Sequence, residues 1–140
     1  MKVVLDTNIL ISALIWGGLP AQLIQAAVDE KITLYTSPQL LSELREVINR
    51  HHLAARLLAK QSSAAQALMF YQGLAISVSP LNTPRVVPTD PDDDHVVAAA
   101  VAARADIIVS GDSDLLNLSA HQGIKILAPA RALHQLNQNQ

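Results

Sequence analysis

The chain has 140 residues, half of them hydrophobic and 16% charged, a composition that excludes an intrinsically disordered segment. It contains no cysteine, which excludes a disulfide framework, a thiolate metal site and a cysteine nucleophile, and fits a reducing cytosol. Ten Lys and Arg against twelve Asp and Glu give a net charge of −2, so nucleic-acid binding would need a local basic patch, a bound cation or a partner.

The first segment, KVVL, is a short apolar run ending at Asp6-Thr7-Asn8, and it reads as a buried parallel strand feeding a helix. Residues 8 to 16 are almost wholly apolar and predict a buried helix, which Gly17-Gly18 stops before Pro20 starts the next. ITLY at 32 to 35 is a second strand. Ser37-Pro38 after it is an N-cap with proline at the first helical position, opening a helix from about 38 to 50. Leu40, Leu41, Leu44, Val47 and Ile48 form its apolar stripe, and Glu43 lies on the stripe's edge, where it can point into a cleft.

Residues 53 to 73 predict helix with a break near Gln61-Ser62, and Gly73 closes them before a short strand, LAISV. Ser79 to Pro91 holds four prolines and reads as a loop. Asp92-Asp93-Asp94 then opens a helix continuing into VVAAAVAA, with acidic residues where the helix dipole favours them. DIIVS at 106 to 110 is the next strand, ending at Gly111-Asp112-Ser113-Asp114. IKIL at 124 to 127 is the last, and Pro129 starts a terminal helix that runs into a polar Gln/Asn tail from about 135.

No internal repeat or interdomain linker is visible, so residues 1–140 read as one domain. No apolar run approaches the ~20 residues of a membrane span, and a soluble, cytoplasmic protein with no membrane partner is expected. Alternating strands and helices predict a three-layer α/β/α fold on a central parallel sheet, with the active site beyond the carboxyl ends of the strands.

Four separate segments place a carboxylate where it can face that edge: Asp6, Glu43, Asp94 and Asp112. Convergent carboxylates suit a hard cation, Mg²⁺ or Mn²⁺, which also binds phosphate oxygens. Without metal they repel one another and raise each other's pKa values. With metal they form a phosphodiester-cleaving centre in which a metal-activated water attacks phosphorus, served by one ion or two.

DTNILISAL at 6 to 14, SPQLLSELREVI at 37 to 48 and DPDDDHVVAAAVAARADIIVSGDSDLL at 90 to 116 resemble the three motif regions of PIN-domain proteins. With their connecting elements they span residues 1 to about 128, and they most resemble bacterial toxin components of toxin–antitoxin systems related to the VapC toxins. That resemblance implies a PIN-like fold and a metal-dependent endoribonuclease. It also implies a homodimer or higher homo-oligomer and a cognate antitoxin that occupies the cleft. It assigns Asp6, Glu43, Asp94 and Asp112 as the acidic quartet and metal ligands, with Thr7 or Asn8 and Asp114 as helpers. Asp94 is selected over Asp92 and Asp93 because the family's aspartate directly precedes a run like HVVAAA. Many toxin relatives carry asparagine at the fourth position and aspartate shortly after; here GDSD supplies Asp112 and Asp114, either of which can reach the metal.

Each feature also has an ordinary structural explanation. Asp6, Asp112 and Asp114 can be helix caps, two of the three carboxylates at 92–94 can simply complement the dipole, and Glu43 can be a solvated helix residue. The functional reading comes from all four together. His51, His52, His121 and His134 lack metal-ligand spacing, whereas His95 neighbours Asp94. Arg45, Arg50, Arg85 and Arg104 are candidate phosphate contacts outside the site, and Trp16 is a packing residue. The alternative is a catalytically silent PIN-like RNA- or protein-binding regulator. Asn8 disfavours a haloacid-dehalogenase-type phosphatase, which needs aspartate there; the acidic pair of a response-regulator receiver is missing after the first strand, and so is the GxGxxG of a dinucleotide enzyme.

Overall fold

The fold is described from a computed structural model covering residues 1–86 and 90–138, so the loop expected over 79–91 and the polar tail each extend outside it. The sheet is built on β1 (Lys2–Leu5), whose last three residues are fully buried, as expected of a strand covered on both faces. β1 pairs in parallel with β2 (Thr33–Thr36) on one side and β4 (Ile107–Val109) on the other. β3 (Ile76–Ser77) adds in parallel to β2, and β6 (Ile124–Leu127) to β4. The order is β3-β2-β1-β4-β6-β5.

The central sheet is parallel, as expected, and one edge strand runs the other way. β5 (Ala120–His121) pairs antiparallel with β6, turning over through Gln122-Gly123, both at positive φ. This two-residue strand exists only because β6 offers it an edge. At the opposite edge, Ile76 and Ser77 of the LAISV segment pair with β2, and the Val78 N–H bonds the Thr36 carbonyl at 2.8 Å.

Alternation along the strands divides the core in two. Val3, Leu5, Ile107 and Val109 face α1 (Thr7–Ile11), α2 (Gly18–Val28), α3 (Pro38–Ile48), α5 (Ala64–Leu74) and α8 (Pro129–Gln138). Val4 and Ile108 face α6 (Pro91–Ala103) and α7 (Ser113–Leu118). Helices therefore cover both faces, giving the three layers expected from the sequence.

Past Ile11 the first helix widens into a π-helical turn, Ser12–Trp16, which ends where the Gly17 N–H bonds the Ser12 carbonyl at 2.9 Å and Gly17 takes φ +84°, a conformation glycine adopts without strain. Ser37 and Ser63 cap α3 and α5 through their hydroxyls, and the latter follows the expected break after α4 (His51–Ala59). The polar tail from 135 is helical to Gln138 and buries Leu136. Among the described residues, no single helix is long and apolar enough to cross a membrane.

The order reverses direction between β1 and β4: from β1 the chain proceeds to β2 on one side and later returns to β4 on the other. In open α/β sheets such a switch point opens a crevice beyond the strand ends. Asp6 follows β1 there, and Ser110 and Asp112 follow β4.

Candidate active site

Asp6 extends β1 by one residue, its N–H bonding the Val109 carbonyl at 3.0 Å, and then turns the chain into α1. Its carboxylate makes no cap to α1; instead Oδ2 accepts a 2.7 Å hydrogen bond from the Ser110 hydroxyl. Burial pushes the Asp6 pKa up, Ser110 pulls it down, and the charge of Asp112 adds to the rise.

Asp112 begins α7, and its Oδ1 accepts from the N–H groups of Asp114 at 2.8 Å and Leu115 at 3.3 Å. The ordinary cap reading of GDSD is therefore realised, but at a residue whose carboxylate also faces the crevice. Asp90 repeats this arrangement at α6: it is the N-cap, accepts from Asp92 N–H at 3.0 Å, and is followed by Pro91 at the first helical position.

Asp90, Asp93 and Asp112 each present an oxygen such that all three lie within 4.8 Å of one another. Asp93 is only 4% exposed, and among the described residues its Oδ2 has no hydrogen-bond partner. Burial pushes its pKa up to about 7, reinforced by the charges of Asp112, Asp90 and Asp6. A buried carboxylate with one oxygen lacking a donor, close to two more carboxylates, is the environment that a hard cation relieves. The oxygen-only donor set fits Mg²⁺ or Mn²⁺.

Glu43 projects from the second turn of α3, half-buried, at the margin of this group. Burial raises its pKa first, then the charge of Asp92, with Asp6 and Asp90 contributing less. Thr7, 2% exposed, lies beside it, its hydroxyl outside normal hydrogen-bonding geometry, while Asn8 points to solvent. Of the two helpers inferred for this turn, Thr7 is the one near the site. Glu43 and Asp92 also line a groove of about 420 Å³ between α3 and α6, together with Gln39, Ser42 and His95.

The structure brings Asp6, Asp112 and Glu43 to one crevice and turns Asp94 elsewhere. Asp94 is 1% exposed, its Oδ1 accepts the Val86 N–H at 2.9 Å, and its Oδ2 lies 3.7 Å from Arg85 Nε. Neighbouring helix residues point about 100° apart, so only one of Asp93 and Asp94 can face the crevice, and Asp93 does. Asp114 is exposed, and its backbone N–H donates to Asp112 Oδ1. Sequence reasoning missed Asp90 and Ser110. Asp90 carried a usable signal, because Asp90-Pro91 has the same cap-then-proline pattern as Ser37-Pro38.

Residues 2–114 match the family model for the PIN domain. The chain belongs to the PIN-domain family. Members of this family are generally nucleases, and they use divalent metals. The chain is similar to an uncharacterized protein of Methanocaldococcus jannaschii, with 34% identity over 119 residues, 84% of this chain and 75% of that protein. Among solved structures, the PIN fold recurs in a chain of VapBC2 from Rickettsia felis bound to a DNA fragment from their promoter. The TM-score is 0.59 at 14% identity, covering 90% of this chain and 97% of that one. A chain of FitAcB from Neisseria gonorrhoeae gives 0.56 at 13% identity, covering 91% and 98%.

Proposed function

We propose that this PIN domain is a Mg²⁺- or Mn²⁺-dependent endoribonuclease that hydrolyses RNA phosphodiester bonds. The observation that carries the reading is the meeting of Asp90, Asp93 and Asp112 oxygens within 4.8 Å of one another, in a group whose Asp93 is buried with one oxygen lacking a donor. These three, with Asp6 alongside, are the residues that would hold the cation. When bound, the cation supplies Lewis acidity: it lowers the pKa of a water and neutralises charge on the phosphate oxygens. Glu43, with its pKa raised by burial and by Asp92, is suited to accept the proton of the attacking water. Ser110 keeps Asp6 oriented, and α7 and α6 fix Asp112 and Asp90 through their caps.

The chain's partners follow from the same reading. The two structural neighbours named above were solved as VapBC2 and FitAcB, which supports a toxin role for this chain, with a cognate antitoxin of its own. Exposed Leu58, Met69 and Phe70 on α4 and α5 support a protein contact, whether with an antitoxin or a second copy in a homo-oligomer. A cytoplasmic location is part of this proposal, supported by the absence of cysteine.

The test is cleavage of a mixed RNA pool by the purified protein with Mg²⁺, with Mn²⁺ and with chelator, beside Asp6→Asn and Asp93→Asn. Metal-dependent cutting to 5′-phosphate and 3′-hydroxyl ends, lost in both variants, is the expected result. RNA that is bound but never cut would overturn the nuclease reading in favour of a binding regulator.

A further inference from the structure

A carboxylate that is 1% exposed on a helix otherwise buried among Val96, Val97, Ala98, Ala99 and Ala100 is out of place unless it holds something. Asp94 holds the segment that precedes its own helix. Between β3 and α6, residues 79–86 have no regular structure, and the Asp94 Oδ1 bond to the Val86 N–H at 2.9 Å ties that segment to α6. Arg85, largely exposed, lays its guanidinium 3.7 Å from the other oxygen. Val86 stands four residues before Asp90, and Asp94 four residues after it.

We propose that Asp94 is a positioning residue, clamping residues 85–86 onto α6 and thereby setting where Asp90 and Asp93 present their oxygens. The proposal rests on the reading of Asp90 and Asp93 as metal ligands. Asp90 caps α6 through its side chain, so anchoring residues 85–86 onto α6 restrains the residue that presents an oxygen to Asp93 and Asp112. Asp93 sits one residue before the clamp, so the same bond fixes the rotation of the first turn of α6. In the run Asp92-Asp93-Asp94, then, the exposed first residue favours the helix dipole, the second faces the metal group, and the third anchors the approach.

The test separates anchoring from ligation by metal affinity and amide exchange as well as by activity. Asp94→Asn keeps an oxygen acceptor for the Val86 N–H; Asp94→Ala removes it; Val86→Pro removes the donor while leaving Asp94 in place. Mn²⁺ binding is measured by calorimetry on each full-length variant, and protection of the Val86 amide by hydrogen exchange on those that retain it. Asp94→Asn should bind Mn²⁺ close to wild type and keep the amide protected. Asp94→Ala and Val86→Pro should weaken Mn²⁺ binding about 10- to 100-fold, the range for losing an outer-shell partner, while kcat recovers at saturating Mn²⁺. If Asp94→Ala does not fold, Val86→Pro carries the test alone. Loss of Mn²⁺ binding in Asp94→Asn equal to that in Asp93→Asn would make Asp94 a ligand and overturn the proposal, as would wild-type affinity in Val86→Pro. Wild-type protein that binds no Mn²⁺ overturns the metal centre itself and the proposal with it, a result seen before any substitution is made.

Discussion

The Ser110 hydroxyl donates to Asp6 Oδ2, 104 positions away in the chain, at 2.7 Å and accepts the Asp112 N–H at 3.0 Å. A single buried oxygen thereby holds the exits of β1 and β4 in register and keeps two like charges in a fixed relation. Ser110 is also the strongest of the hydrogen-bond partners that offset the burial of the Asp6 carboxylate.

Ser110→Ala is expected to raise the Asp6 pKa further, because burial and Asp112 remain while the stabilising donor is lost. Cation binding requires the deprotonated form, so the pH midpoint of Mn²⁺ binding should move upward, and Mn²⁺ titrations across about pH 5 to 8 read that shift. Loss of a hydrogen bond to a buried charged group should also cost roughly 1.5–3 kcal/mol in urea unfolding at neutral pH. A variant with the wild-type midpoint would show that Ser110 does not tune the site.

The metal-free protein should be more stable in mild acid than in mild base. Asp6, Glu43 and Asp93 all have folded pKa values raised above their ordinary ones, Asp93 to about 7 from 3.8. A carboxyl that holds its proton more tightly when folded contributes stability in full below its unfolded pKa, and that contribution is lost as pH rises through the folded value. The window therefore opens near 4 and closes near 7 for Asp93, and Tm measured with chelator should fall by several degrees across it. Added Mn²⁺ should reverse the trend, its stabilisation growing with pH as the ligands deprotonate. A chelated protein whose Tm rises from pH 5 to pH 8 would contradict the crowding of carboxylates described above.

Much of this architecture is legible in the sequence where burial imposes a pattern. β1, β2, β4 and β6 are short apolar runs followed by turn or cap residues, and Asp6 and Asp112 are located because they follow such strands. β5 and α7 carry no such signal: a two-residue strand depends on its neighbour, and six residues are too few to show helical periodicity. The choice between Asp93 and Asp94 was illegible for a different reason. α6 is buried on nearly every side, so its small apolar residues mark no stripe from which the helix rotation can be read. That rotation is fixed by packing against the sheet and by the bond that Asp94 Oδ1 accepts from the Val86 N–H.

Glu43→Gln should keep the fold and most of the Mn²⁺ affinity, because Glu43 stands outside the three-carboxylate group. If it accepts the proton of the attacking water, kcat should fall by about 10² or more, within the range for removing a general base. Single-turnover cleavage at saturating Mn²⁺ measures this. An unchanged kcat with weakened Mn²⁺ binding would make Glu43 a ligand instead of a base.

Asp112 and Asp114 are two residues apart, and both are candidates for the same position from sequence, but they stand differently in the fold. Asp112 lies in the three-carboxylate group and caps α7, whereas Asp114 is exposed and its backbone N–H donates to Asp112 Oδ1. Asp112→Asn retains a cap acceptor, so thermal stability should hold while Mn²⁺ binding and cleavage are lost. Asp112→Ala should lose both and, beyond the metal effect, cost about 1 kcal/mol for the missing cap. Asp114→Asn leaves the N–H in place and should cleave close to wild type. Thermal melts with chelator, run beside cleavage assays on all three variants, give the comparison. Cleavage abolished by Asp114→Asn and retained by Asp112→Asn would exchange the two roles, leaving Asp112 as a cap alone.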